Sequence, residues 1–225
     1  MIKINRRDWI AGAMASTALL CARSAAAQAY PQRAVRIIVP YAPGGGTDVF
    51  SRLLAAQMER EFGQTLVIDN RGGGSTIGTQ AVANAQPDGY TIGMVDSAFV
   101  TNPGLFKDKL PYDTRRDFIP VSLLSRTQLV LSVSPSSPFK TAQELIAFAK
   151  ANPGKLTFAS AGIGTGIHLA AEQFRQVTGI EIVIIPYRGG APALADFLSG
   201  KVDFTFGAVP SGSNLTFGAL VSQRR

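Results

Sequence analysis

Four glycine-rich segments each stand where a strand-like run gives way to a helical pattern. They are Pro40-Tyr41-Ala42-Pro43-Gly44-Gly45-Gly46-Thr47-Asp48, Asn70-Arg71-Gly72-Gly73-Gly74-Ser75-Thr76, Ser160-Ala161-Gly162-Ile163-Gly164-Thr165-Gly166 and Pro186-Tyr187-Arg188-Gly189-Gly190-Ala191-Pro192. A glycine loop that opens a helix leaves backbone N–H groups unobstructed and points the positive end of the helix dipole at one spot. That is chemistry for holding an anion. One such loop more often serves its turn than a ligand. Four of them at the same edge of two sheets are better explained by a shared cleft.

The same residues test the catalytic alternatives. The chain has one cysteine, Cys21, and one histidine, His168, which excludes Cys/His zinc sites, a disulfide framework and a Cys–His nucleophile. The first loop lacks the Gly-Lys-Ser/Thr ending of a P-loop, and no Gly-x-Ser-x-Gly elbow occurs. Gly162-Ile163-Gly164-Thr165-Gly166 imitates part of a dinucleotide fingerprint, but Ile167 stands where its third glycine belongs. At a helix start, His168 suits hydrogen bonding to a ligand, or capping of the loop, better than general-base work. Asp48, read as having no basic partner nearby in sequence, is either a charge favoured by the helix dipole or a ligand contact. Asp69 and Asp203 are read as loop architecture. Arg71 and Arg188 are either partners for a ligand carboxylate or solvated surface.

Of the 225 residues 16% are charged and 46% hydrophobic, and no apolar run reaches the ~18–20 residues of a membrane span. Residues 1–29 read as an export signal. Lys3, Arg6 and Arg7 precede a short apolar stretch, Ala27-Gln28-Ala29 offers a cleavage pattern before Tyr30, and Asn5-Arg6-Arg7-Asp8-Trp9-Ile10 resembles a twin-arginine motif. Cleavage there discards Cys21 and lowers the formal net charge from +7 to +4. That mild charge, with few adjacent basic pairs, suits a small anion and not a nucleic acid.

The elements that must carry the loops alternate along the chain. Residues 35–39 are a strand closed by Pro40, and 47–62 form a helix with Val49, Phe50, Leu53, Leu54, Met58 and Phe62 on one stripe, capped by Gly63. A strand over 65–69, a helix over 77–85, a turn at Pro87-Asp88-Gly89 and a strand over 90–95 complete a βαβαβ unit. Its right-handed crossovers make the strands parallel neighbours, with their loops at the carboxyl edge. After an Asn102-Pro103 turn, extended segments 118–124 and 128–134 lead as strands into a second lobe. There a helix over 142–151, a strand over 156–160, a helix over 165–177, a strand over 182–186, a helix over 192–198 and a strand over 202–206 follow.

This pattern resembles the Bug-type extracytoplasmic solute receptors of tripartite tricarboxylate transporters. The resemblance rests on Tyr30-Pro31, on Val39 to Asp48 with Arg52, on Asn70-Arg71-Gly72-Gly73-Gly74 and on Pro87-Asp88-Gly89-Tyr90-Thr91. It continues through His168-Leu169 with Glu172 and Phe174, and through Pro186 to Ala193. It implies an α/β, two-lobed periplasmic binding protein of type II-like form, each lobe a mostly parallel sheet flanked by helices. Residues 30–127 are expected to form the first lobe and 128–210 the second. The C-terminal return that the family pattern calls for is absent, and 211–225 is an atypical tail expected from truncation or a frameshift.

The resemblance further implies a periplasmic receptor that captures a small carboxylate between its lobes and delivers it to membrane permease subunits, with no cofactor, metal or catalysis. Contacts are implied from Tyr41, Gly44, Gly45, Thr47, Asp48, Gly73, Gly74, Ser75 and Ser97 in the first lobe. The second lobe would offer Ser160, Gly162, Gly164, Thr165, His168, Tyr187 and Gly189. The alternatives are an exported α/β enzyme acting on a small organic acid through Asp48 or His168, and a carboxylate-sensing module without a permease.

Overall fold

The computed structural model describes residues 30–209; the export signal read in 1–29 and the tail 211–225 lie outside the described residues. β1 (Val35–Val39) is buried at four of its five positions. Val35, Ile37, Ile38 and Val39 therefore form a nearly continuous apolar run, as a strand covered on both faces requires. It is the middle strand of a sheet with order β2–β1–β3, where β2 is Leu66–Asn70 and β3 is Thr91–Gly93. Both pairings are parallel, with Val35 opposite Leu66 and Ile38 opposite Gly93. Helices α1 (Gly46–Phe62) and α2 (Ser75–Ala83) fill the crossovers, and Gly63, left-handed at φ 62°, closes α1.

The expected stripe on α1 needs correcting. Val49, Leu53 and Phe62 are exposed, while Phe50, Leu54 and Met58 do reach the core of Val35, Ile37, Val39 and Leu66. The fully buried positions of α1 are Asp48, Ser51 and Ala55, so the line of helix against sheet is built from short side chains. Asn102-Pro103 is no turn either, because it lies within α3 (Ala98–Phe106). The segment 118–124 is not a strand: among the described residues no strand pairs with it, and Ile119, Val121 and Leu123 stand exposed.

The second sheet has the order β4–β7–β5–β6, from β4 (Gln128–Val133), β5 (Thr157–Ser160), β6 (Val183–Pro186) and β7 (Phe204–Val209). β5 pairs parallel with β6 and β7, while β4 joins antiparallel to β7 with Val133 opposite Phe204. Helices α4 (Ala142–Ala151), α5 (Gly166–Thr178) and α6 (Gly190–Leu198) connect them. Phe158 and Phe204, both fully buried, meet edge-to-face at 5.1 Å between centroids, and Leu145, Ala149 and Ala171 complete that core. The four glycine loops thus follow β1, β2, β5 and β6, each at a carboxyl end of its strand.

Candidate functional site: a seam of four glycine loops

The loops of the two sheets meet along one seam. The Ala42 N–H donates to the Arg188 carbonyl at 3.3 Å, joining the loop after β1 to the loop after β6. A Cβ added to Gly45 would stand 3.3 Å from the Gly190 nitrogen, and one on Gly189 would stand 3.1 Å from the Ala42 nitrogen. Gly189 is also at φ 139°, so glycine is required there twice over. The loop after β2 reaches the same place, since a Cβ on Gly72 would come within 3.4 Å of the Ala42 nitrogen. The loop after β5 lies against α3: Thr101 Oγ1 donates to the Gly164 carbonyl at 2.7 Å, and Ser97 Oγ faces Gly166.

Three of the helices opening on these loops begin at a glycine cap, Gly45 for α1, Gly74 for α2 and Gly189 for α6, and none receives a side-chain cap. Their first-turn N–H groups have no hydroxyl or carboxylate folded over them, an arrangement that favours an external anion. The fourth is different. Thr165 caps α5 by accepting from the His168 N–H at 3.3 Å, and its hydroxyl donates to the Gly162 carbonyl at 2.8 Å.

The polar side chains expected at the site divide into two sets. Asp48 is buried and fully engaged: Oδ2 accepts from the Gly44 N–H at 2.8 Å and Arg52 Nε at 3.1 Å, while Oδ1 accepts from Asn70 Nδ2 at 2.9 Å. Burial works to raise its pKa, but the bonds from Arg52, Gly44 and Asn70 outweigh it and hold the carboxyl below its ordinary value. Arg52, four residues along α1, is the basic partner that the sequence reading denied Asp48. Tyr41 is buried and donates to Asp96 Oδ1 at 2.7 Å. Burial, then the neighbouring Asp96, raises the Tyr41 pKa; burial also raises that of Asp96, against the bonds from Tyr41 and the Ala98 N–H.

Ser75 pairs with Asn102, whose Nδ2 reaches Ser75 Oγ at 2.9 Å and the Tyr112 hydroxyl at 3.0 Å. Ser160 is wholly buried and bonds to Gly162 of its own loop. The Tyr187 hydroxyl donates to Asp196 at 2.9 Å, so burial and then Asp196 raise its pKa. Lys201 at 2.9 Å, followed by Tyr187, lowers that of Asp196.

The second set keeps free groups. Among the described residues no hydrogen bond engages the hydroxyls of Thr47 or Ser97, and His168 Nδ1 is buried without a partner. Asp203 accepts from Thr157 N and Oγ1 at the start of β5, and Asp69, within β2, pairs with Arg71, so both serve the strand framework and not only the loops. The exposed Arg188 guanidinium has no ion-pair partner among the described residues. Sequence reasoning missed Asn70 as an anchor of Asp48, as well as Asp96, Thr101 and Asn102. Only the Asp48/Arg52 spacing carried a readable signal; the others act across the fold.

The family described as "Tripartite tricarboxylate transporter family receptor" matches residues 50–216. A protein of Pseudomonas sp. strain P51 from the tcbD-tcbE intergenic region is 38% identical over 212 residues, which is 94% of this chain and 63% of that protein. Among solved structures, the periplasmic binding protein BugD superposes with a TM-score of 0.80 at 35% identity, over 85% of this chain and 64% of BugD. Rpa4515 of R. palustris, solved with adipate, superposes with a TM-score of 0.76 at 36% identity, over 83% and 62% of the two chains. The chain thus spans less than two thirds of each of these relatives. These likenesses bear out the α/β periplasmic-binding-protein fold that the two sheets display, and the chain belongs to the Bug-type receptors of the tripartite tricarboxylate transporter family.

Proposed function

We propose that this chain is a periplasmic receptor that binds a small carboxylate at the seam of the four glycine loops and presents it to membrane permease subunits. The observation that carries the reading is the convergence of three glycine-capped helix N-termini, none capped by a side chain, on one seam. Gly44, Gly45, Gly73, Gly74, Gly162, Gly164 and Gly189 supply backbone donors or the room to reach them. Thr47, Ser97 and His168 supply side-chain donors, and Tyr41, Asp48, Ser75, Ser160, Thr165 and Tyr187 hold the loops in shape. The relative solved with adipate supports a dicarboxylate as the ligand class. We assign residues 30–127 to one ligand-binding lobe and 128–210 to the other.

Binding without turnover fits the side chains better than catalysis does. Asp48 accepts from three donors and is held ionised, which leaves it no proton to give and ties both of its oxygens into the loop framework. His168 donates its backbone N–H to Thr165, and among the described residues no carboxylate is hydrogen-bonded to its ring.

The test is a thermal melt of the purified chain with malate, adipate, citrate and acidic amino acids. A ligand present at 100 times its Kd should stabilise the chain by about 2.7 kcal/mol. Thr47→Val and His168→Ala should each shrink that shift, and the recovered ligand should be unchanged by NMR. Conversion of the compound that disappears in His168→Ala would establish the enzyme instead, and no shift with any carboxylate would sink the receptor reading.

A further inference from the structure

The element that the sequence conceals, α3, touches a loop of each sheet. From the first lobe it sets Thr101 Oγ1 2.7 Å from the Gly164 carbonyl of the second. A Cβ on Gly164 would stand 2.9 Å from Leu105 Cδ1 and 3.1 Å from Asn102 Oδ1, so this loop lies directly against the side chains of α3. Asn102, fully buried, carries the contact onward to Ser75 at the start of α2 and to Tyr112. The Gly164 carbonyl belongs to the loop that presents Thr165 and His168. Fixing its direction fixes the plane of the following peptide, and hence the Thr165 N–H and the start of α5.

We propose that Thr101 is a positioning residue: its hydroxyl latches the 162–166 loop to α3, so that the loop after β5 and the loop after β2 are held in one arrangement. This rests on the carboxylate-receptor reading for its consequence in binding, but not for the latch itself. Thr101 touches no ligand in this scheme. It acts through the Gly164 carbonyl, and α3 couples both lobes through Thr101 on one side and Asn102 on the other.

The experiment compares the full chain with Thr101→Val, which keeps the shape and removes the donor, and Thr101→Ser, which keeps the donor. Amide hydrogen exchange needs no ligand. Exchange across 162–168 should quicken about fivefold in the valine variant, the worth of one net hydrogen bond, with the remaining helices unchanged and the serine variant like wild type. Adipate, titrated by calorimetry, should bind about fivefold more weakly to the valine variant and normally to the serine variant. Unchanged exchange in Thr101→Val overturns the latch even if adipate binds. A valine variant that loosens everywhere or fails to fold also overturns it, because the hydroxyl would then serve the whole fold. If exchange responds as expected but neither adipate nor another carboxylate binds wild type, the latch stands and the receptor reading falls.

Discussion

Two aspartates that hold the loop after β1 are set in opposite senses. Asp48 draws three donors to a buried carboxylate, whereas Asp96 is buried with a tyrosine hydroxyl and one backbone N–H. Because the folded pKa of Asp48 is lowered, its contribution is present above the ordinary carboxylate value of ~4 and is lost as pH falls through the folded value. Asp96, raised, has the reverse sign: native protein holds its proton longer than unfolded chain, so stability falls as pH rises from ~4 through the raised value. Urea midpoints between pH 3 and 8 should therefore flatten on the acid side in Asp48→Asn and rise at neutral pH in Asp96→Asn. The asparagine at 96 still offers an oxygen to Tyr41 and Ala98. Asp48→Ala should cost about 2–3 kcal/mol at pH 7, mostly from the stranded Gly44 N–H and Asn70 amide, since Arg52 is half-exposed and its share is screened. A loss under about 0.5 kcal/mol would mean that the loop does not depend on this anchor.

At the scale of elements, α2 meets the end of β1 through a single glycine. A Cβ on Gly78 would lie 2.4 Å from Pro40 Cα and 2.5 Å from its Cβ, with backbone on one side and a rigid ring on the other. Gly78→Ala should therefore cost at least about 2 kcal/mol, because the helix must slide off the strand; a melting temperature equal to wild type would contradict the packing. The glycine loops and most regular elements were legible because a β-branched strand ends abruptly at a proline, as at Val39-Pro40, and a helix at a glycine, as at Phe62-Gly63. What was not legible depends on contacts distant in sequence. Pro103 signals a turn locally, but α3 persists because Asn102 is tied to Ser75 and Tyr112. Ile119, Val121 and Leu123 have strand periodicity, but among the described residues no strand pairs with them. The site showed the same division: glycines announced the loops, while the partners that saturate Asp48, Tyr41 and Tyr187 emerged only from the fold.

Across the whole molecule, the two sheets are joined by an exposed crossover, 119–128, that carries Arg126. Trypsin should make its early cut within the described residues at Arg126 and yield two fragments, one per sheet; early cuts inside α4 or α5 would show that the second lobe opens first. The order of strands has a further consequence, in time and not in space. The three described strands of the first sheet are all in place once Gly93 has emerged, and their pairings bridge modest stretches of chain. The second cannot form that way, because β7, which follows the others in sequence among the described strands, lies between β4 and β5 and is the one described neighbour of β4. Until residue 204 and its successors arrive, β4 is an unpaired edge and Phe158 lacks the ring that covers it. A chain that makes β7 after the strands on either side of it should form its first sheet ahead of its second, and spend the interval with an adhesive edge in need of a chaperone.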